Sequence, residues 1–179
     1  MASLHKPIVL IGFKHTGKSV VGRALADKLA VPFLDLDQKI ESLYETQFNE
    51  KCTCRQIMQN KGEDFFRSLE GAALSQVVDL KPSVISLGGG APLSVENQEV
   101  IKSCIVIHLT SPREVVFERI CRGGQPAFFN SGEDLLESFN RMWDDRQQIY
   151  EKIRNFTVEN DGSVDEAVFS LIKKLERYI

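Results

Sequence analysis

Short apolar runs recur along this chain, separated by segments with helical periodicity. The first run, Ile8–Ile11, is four consecutive aliphatic residues, a pattern typical of a strand buried on both faces. Similar runs predict four further strands, at residues 33–36, 84–87, 104–109 and 156–158. Because strands that alternate with helices pair in parallel and need cover on both faces, the pattern predicts an α/β fold with a five-stranded parallel sheet between two helical layers.

Helical spacing of apolar residues predicts helices at residues 18–30, 38–79, 111–121, 133–152 and 163–178. The second of these is long, mostly polar and interrupted near Gly62. This stretch and the Gly- and Pro-containing loop at residues 122–132 are additions to the simple strand-helix repeat. Additions at the ligand end of an α/β sheet commonly form a pocket and its cover. We therefore predict a substrate-binding region at residues 38–79 and a lid at residues 122–132.

Composition narrows the class of protein. The chain has 179 residues, 42% hydrophobic and 26% charged, which predicts one globular domain over residues 1–179. A net charge of -3 gives no reason to expect nucleic acid or an anionic membrane as partner. The N-terminus lacks the apolar segment of a signal peptide. The cysteines have neither zinc-site nor redox spacing and are expected to be reduced: Cys52, Cys54, Cys104 and Cys121. We expect a cytoplasmic monomer that acts on small molecules.

Residues 12–19 match the phosphate-binding pattern G-x-x-x-x-G-K-[ST] in full, after a strand and at the start of a helix. Backbone N–H groups and the helix dipole would hold the phosphates of ATP. Lys18 would reach the β- and γ-phosphates as a catalytic residue, and Ser19 would ligate Mg²⁺, the expected cofactor. The predicted ATP-binding residues here are Gly12, His15, Thr16, Gly17, Lys18, Ser19 and Val20.

The three histidines have weaker claims on chemistry. His15 is interpreted as a variable loop position with its side chain outward, the alternative being a catalytic role. His108 lies in a predicted central strand and is expected to be a hydrogen-bonded core residue. His5 is in the N-terminal tail.

The second strand ends in Leu34-Asp35-Leu36-Asp37, and no N-K-x-D-like base-reading motif follows a late strand, which favours a small-molecule kinase over a GTPase. By the strand period of two, Asp35 and Asp37 project the same way. One carboxylate would hold Mg²⁺ or its waters, and the other would orient an acceptor hydroxyl and take its proton. The alternative is that Asp37 only caps a helix beginning at Gln38.

Two arginines and a glycine run are candidates for acceptor binding. Arg146 shares a helix face with apolar and aromatic residues, so it either snorkels or reaches into a pocket for an anion such as a carboxylate. Arg67 has acidic neighbours at helical spacing, which leaves a surface salt bridge open as the alternative. The run Gly88-Gly89-Gly90 permits positive φ and close backbone approach to a ligand, a passive turn being the alternative.

Taken in order, these motifs resemble shikimate kinase over nearly the whole chain: the phosphate loop, D-x-D at Asp35 and Asp37, G-E-x-x-F-R at residues 62–67, the glycine run and Arg146. The resemblance implies an NMP-kinase-like P-loop fold with strand order 2-3-1-4-5. It implies that Asp35 helps to hold magnesium and that Asp37 contacts the shikimate hydroxyls. Arg67 and Arg146 would bind the shikimate carboxylate, with a backbone contact from Gly89. Arg119 would stack near adenine, opposite the turn at residues 160–163.

Two departures from the family pattern affect the expected chemistry. The family's lid usually carries Arg-Pro-Leu-Leu, whereas residues 125–128 read Gln-Pro-Ala-Phe, so the lid arginine is replaced by Gln125. We hypothesise that Arg122, close by in sequence, is the catalytic substitute; without one, turnover should fall. His15 and Val20 also stand where many members have Gly and Thr.

The leading hypothesis is therefore ATP-dependent phosphorylation of the shikimate ring 3-hydroxyl in chorismate biosynthesis. A kinase for another small acid such as gluconate is one alternative. A degenerate homologue that binds nucleotide without efficient catalysis is another.

Overall fold

The computed structural model of the chain describes residues 5–80, 82–122 and 134–178. Within them one parallel sheet contains β1 (Ile8–Ile11), β2 (Phe33–Asp35), β3 (Val84–Ser86), β4 (Ile105–Thr110) and β5 (Phe156–Glu159). The strand order is β2-β3-β1-β4-β5, which confirms the expected topology. Each strand lies within one residue of its predicted bounds.

Helices cover both faces of this sheet, as predicted. They are α1 (Lys18–Leu29), α2 (Leu36–Phe48), α3 (Cys54–Lys61), α4 (Glu63–Val78), α5 (Val95–Ile101), α6 (Arg113–Arg122), α7 (Leu135–Ile153) and α8 (Val164–Leu175). A 3-10 turn, Ala91–Leu93, precedes α5, and neither of these two elements was predicted.

The apolar runs become strands because their alternate side chains enter two different cores. In β1, Val9 and Ile11 pack in the core beneath α2 and α4, whereas Ile8 and Leu10 pack in the core beneath α1 and α8. A strand that serves both cores cannot carry polar residues on either face, which explains its continuous apolar sequence.

The predicted substrate-binding region, residues 38–79, is three helices rather than one interrupted helix. The break at Gly62 is confirmed, and its φ of 86° is one that glycine adopts readily. A second break follows α2, where Asn49 is left-handed and Thr53 caps the N-terminus of α3 with a reciprocal capping box to Gln56. Of the predicted lid, residues 122–132, only Arg122 lies within the described residues.

Several side chains outside the site bear on the expectations above. Among the described residues none of the four cysteines forms a disulfide. None of the helices in the described ranges is long and apolar enough to cross a membrane.

His108 is buried in β4 as predicted, but the expected hydrogen bond is absent, because neither ring nitrogen has a hydrogen-bond partner among the described residues. Its Nδ1 lies 3.6 Å from Glu151 Oε1.

Candidate active site

The phosphate loop joins β1 to α1 at the carboxyl end of the sheet, the context that its sequence predicted. Gly12 and Gly17 have φ of 146° and 90°, a region that side-chain-bearing residues avoid. A Cβ on Gly12 would lie 2.2 Å from the backbone oxygen of Leu109, so only glycine fits there. The loop therefore packs directly against the end of β4.

Lys18 is turned into its own loop. Its ammonium donates hydrogen bonds to the carbonyl oxygens of Gly12, at 2.9 Å, and Phe13, at 2.8 Å. Burial lowers the pKa of Lys18 to about 8, and the carboxylates of Asp37 and Asp35 oppose that effect. These two carbonyls hold the Lys18 ammonium group, which would have to leave them to reach a phosphate.

A buried asparagine braces the loop from the far side. The Asn160 side-chain amide donates to the carbonyl oxygen of Thr16 at 2.9 Å. Its backbone is fixed in turn, because its N–H donates to Thr110 at 2.7 Å and its carbonyl accepts from the Ser111 hydroxyl at 2.8 Å. Sequence analysis placed residue 160 only in a turn beside adenine and did not foresee this contact.

His15 and Arg119 meet at the loop's outer edge. His15 has φ of 67°, and its carbonyl oxygen accepts a hydrogen bond from Arg119 Nη1 at 2.9 Å. Partial burial lowers the pKa of the His15 imidazole, and the nearby charges of Lys14, Lys18 and Arg119 add to this. Val20 lies in the first turn of α1 and is 62% exposed.

The two aspartates have different positions from those that strand periodicity suggested. β2 ends at Asp35, which caps α2 by accepting a hydrogen bond from the Asp37 N–H at 3.1 Å. Asp37 is in the first turn, so the alternative in which Asp37 caps the helix is wrong. The other Asp35 carboxylate oxygen accepts from the Ser19 hydroxyl at 2.9 Å.

Asp37 lies close enough to Lys18 for their charges to interact. The pKa of its carboxyl group is raised by burial and by the charge of Asp35, while Lys18 acts in the opposite direction. A carboxylate with a raised pKa beside the phosphate loop is suited to accept a proton.

Each glycine of the run after β3 lies against a different charged side chain. A Cβ on Gly88 would be 2.8 Å from Asp37 Oδ1, one on Gly89 would be 3.3 Å from Arg146 Nη1, and one on Gly90 would be 3.4 Å from Arg67 Nη2. Positive φ at glycine within the described residues occurs elsewhere, at Gly12, Gly17 and Gly62. The run therefore matters because it lacks side chains, not because of unusual φ. It brings together the three side chains that sequence analysis assigned to the acceptor.

Arg67 is held by a buried carboxylate. Its Nη1 contacts both oxygens of Glu70, at 3.0 and 3.2 Å, and its Nη2 lies 3.4 Å from Glu63. Glu70 is only 3% exposed and also accepts from Asn97 at 3.4 Å. The ion-pair alternative was thus right about the partners, but Glu70 is not on the surface. The helical spacing of Glu70 from Arg67 was the only sign of this ion pair in the sequence.

Arg146 and Tyr150 approach the glycine run from α7. The Arg146 guanidinium lies over the Phe13 ring, 5.1 Å from its centroid, and burial lowers the pKa of Arg146. One turn further along, the buried Tyr150 hydroxyl donates to the carbonyl oxygen of Gly89 at 2.7 Å. Sequence analysis counted Tyr150 only among the aromatic residues on the helix face of Arg146, and did not predict it as a site residue.

Comparison with known proteins places this arrangement in a family. The family model described as shikimate kinase matches residues 15–176. A curated shikimate kinase from Ruegeria pomeroyi is 38% identical over 177 residues, which is 97% of this chain and 87% of that protein. The chain belongs to the shikimate kinase family.

Solved structures agree with this membership of the shikimate kinase family. The shikimate kinase from Acinetobacter baumannii, solved in complex with shikimate, superposes with a TM-score of 0.84 at 27% identity, over 97% of this chain and 94% of that one. A gluconokinase from Sinorhizobium meliloti has a TM-score of 0.62 at 17% identity, over 99% of this chain and 95% of that one. The second likeness shows a shared fold alone, so the fold by itself does not identify the acceptor.

Arg122, which is proposed for catalysis in this shikimate kinase family member, pairs with a residue of its own helix. Arg122 is the last residue of α6, 81% exposed in its side chain, with Nη2 3.5 Å from Glu118. Its catalytic role stays a prediction, and Gln125 lies outside the described residues.

Proposed function

We propose that this chain transfers the γ-phosphoryl group of ATP to the ring 3-hydroxyl of shikimate. The observation that carries the proposal is the convergence of Asp37, Arg146 and Arg67 on three successive glycines, beside the phosphate loop. A base and two cations around one backbone segment match an acceptor that has both hydroxyl and carboxylate groups.

The carboxylate of the acceptor would be bound by Arg67 and Arg146. Each charge-assisted hydrogen bond would contribute about 1.5 to 3 kcal/mol. The Arg67 guanidinium is held by its hydrogen bonds to Glu70, and the Arg146 guanidinium stacks over the Phe13 ring. Both donors would then be oriented before substrate arrives, which reduces the entropy lost on binding.

Asp37 would orient the acceptor hydroxyl and take its proton. The hydroxyl oxygen forms a bond to the γ-phosphorus while the bond from that phosphorus to the β,γ-bridging oxygen breaks, leaving ADP. Lys18 would exchange its contacts with Gly12 and Phe13 for the β- and γ-phosphates. The backbone of Gly88, Gly89 and Gly90 would line the acceptor.

The residues present fit a magnesium ion. The Ser19 hydroxyl and the Asp35 carboxylate are in contact, and hard oxygen ligands of this kind are those that Mg²⁺ prefers. The described residues contain no cluster of three or more acidic, His or Cys side chains for a metal, which suits an ion held partly by phosphates and water. When bound, Mg²⁺ would neutralise charge on the phosphates.

The remaining ATP contacts are also proposals. Gly12, Thr16 and Gly17 would contribute backbone N–H groups to the phosphates, and His15 and Val20 would flank them. Arg119 would lie along the adenine, with Arg122 as the catalytic cation near the phosphates. Cytoplasmic location and a monomeric state stay predictions from the sequence.

The test is a coupled assay for ADP release with ATP and Mg²⁺, using shikimate, gluconate or no acceptor. We expect turnover with shikimate well above both other reactions. Turnover with gluconate instead would identify the same scaffold as a kinase for another acid. Nucleotide binding with no acceptor-dependent turnover would identify a degenerate homologue.

A further inference from the structure

Lys14 stands where the phosphate loop meets the glycine run. It is the third residue of the loop, exposed to solvent, between the fully buried Phe13 and the left-handed His15. A Cβ on Gly89 would lie 3.4 Å from the backbone nitrogen of Lys14 and 3.5 Å from the carbonyl oxygen of Gly12. Lys14 is therefore at the boundary between the proposed nucleotide and acceptor sites.

The charge of Lys14 acts on both sides of that boundary. Burial is the main cause of the lowered pKa of Lys18, and Lys14 adds to it. Burial and Asp35 raise the pKa of Asp37, whereas Lys14 lowers it. One ammonium group is thus close enough to influence both the phosphate-binding lysine and the proposed base.

Other cations of the site already have protein partners. Lys18 is bound by loop carbonyls, Arg119 by the His15 carbonyl and Arg67 by Glu70. For Lys14, residues 5–80, 82–122 and 134–178 provide no side-chain hydrogen bond and no carboxylate within ion-pair distance. Its long, solvated side chain is available to an anion that arrives with the substrates.

We propose that Lys14 is a further catalytic residue, which contacts the transferring phosphoryl group of ATP from the acceptor side. This inference rests on the proposed function. As the bond to the β,γ-bridging oxygen breaks and the bond to the acceptor oxygen forms, negative charge spreads over the three equatorial oxygens of the phosphoryl group. The Lys14 ammonium group stabilises that charge, while the hydroxyl proton passes to Asp37.

The first test compares Lys14→Met, which removes the charge at similar length, with Lys14→Arg, which keeps it. The control is Lys28→Met, an exposed lysine in the last turn of α1. Loss of one donor to transition-state charge typically lowers kcat by about 100-fold, and we expect that for Lys14→Met in the shikimate-dependent assay. Lys14→Arg should recover most of kcat, and Lys28→Met should be unchanged.

The second test measures binding without turnover, by calorimetry with Mg²⁺ and either ADP or a non-hydrolysable ATP analogue. Lys14→Met should weaken the analogue by roughly tenfold and ADP by less than about twofold, because only the analogue carries the third phosphate. Equal losses for both nucleotides, or none for the analogue, would overturn the role of Lys14. If the wild-type protein binds both nucleotides but does not phosphorylate shikimate, the proposed function is wrong. The affinities of Lys14→Met for ADP and for the analogue would still test whether Lys14 contacts the third phosphate.

Discussion

At the scale of single residues, the glycine run determines how closely opposite charges approach the acceptor. A Cβ at Gly88 would overlap the Asp37 carboxylate, one at Gly89 would press on the Arg146 guanidinium, and one at Gly90 would touch that of Arg67. Even alanine at Gly88 must displace the Asp37 carboxylate, so this position limits both the size of the acceptor site and the placement of its negative charge.

Arg146 offers the sharpest test of this arrangement. Arg146→Lys keeps the charge but loses the planar fork and the stacking over Phe13, so carboxylate binding should weaken selectively. We expect KM for shikimate to rise by about 10- to 100-fold, since one or two charge-assisted bonds are lost, and KM for ATP to change by less than about twofold. Initial rates measured with each substrate varied at saturating levels of the other give both constants.

The matched control is Arg154, the C-cap residue of α7. Arg154 bonds to Glu151 near the C-terminus of that helix, so Arg154→Lys should leave both constants near their wild-type values. A larger rise in KM for ATP than for shikimate in Arg146→Lys would contradict the carboxylate assignment.

At the scale of elements, the end of α1 carries avoidable strain. Ala30 terminates the helix at φ 53° and ψ 42°, a left-handed conformation that costs a residue with a Cβ about 1 to 2 kcal/mol relative to glycine. Glycine loses part of that gain to its greater freedom in the unfolded chain. Ala30→Gly should therefore raise the free energy of unfolding by about 0.5 to 1 kcal/mol, measured by urea titration.

The same substitution inside the helix should have the opposite sign. Ala26 is 1% exposed in the middle of α1, so Ala26→Gly loses helix propensity and a buried methyl group, about 1 to 2 kcal/mol together. If Ala30→Gly destabilises the protein as much as Ala26→Gly, the strain at Ala30 is not real.

The strands were predictable because burial on both faces leaves a continuous apolar run that local sequence reveals. The short helix α5 was not, because its sequence VENQEVI holds three apolar residues among four polar ones. That helix depends on the Ser94 cap and on tertiary contacts such as the Asn97 amide to the Ala91 carbonyl, at 2.9 Å. Its stability comes from contacts that helical periodicity does not record.

The same distinction applies to the candidate site. Motif residues such as Lys18 and the glycine run were found because their spacing encodes their geometry. Tyr150 and Asn160 act on backbone carbonyls 61 and 144 residues away, which no local pattern indicates. The positions of Asp35 and Asp37 at the start of α2 were mispredicted because β2 ends one residue earlier than its apolar run suggests.

At the scale of the whole molecule, the two cores on either side of the sheet explain the environment of His108. In β4, Ile107 and Leu109 enter the core under α1 and α8, so His108 points to the opposite face. There it lies against the Tyr150 ring, with 5.1 Å between ring centroids. Burial lowers the pKa of His108 to about 4, although Glu151 acts to raise it.

A histidine buried in its neutral form makes the fold sensitive to acid. Unfolded, His108 would titrate near about 6.5, so between there and about 4 the unfolded chain binds more protons than the folded one. The contribution of His108 to the free energy of unfolding should therefore be constant above pH 6.5 and fall by up to about 3 kcal/mol as pH drops to 4.

Urea titrations of wild type and His108→Leu at several pH values between 7.5 and 4.5 separate this contribution from all others, because the remaining titratable groups are common to both proteins. The wild-type value minus the variant value should decrease steadily below pH 6.5, whatever its sign at neutral pH. A difference that stays constant over this range would mean that His108 binds protons equally well in the folded and unfolded chains, and that the sheet core does not exclude its charged form.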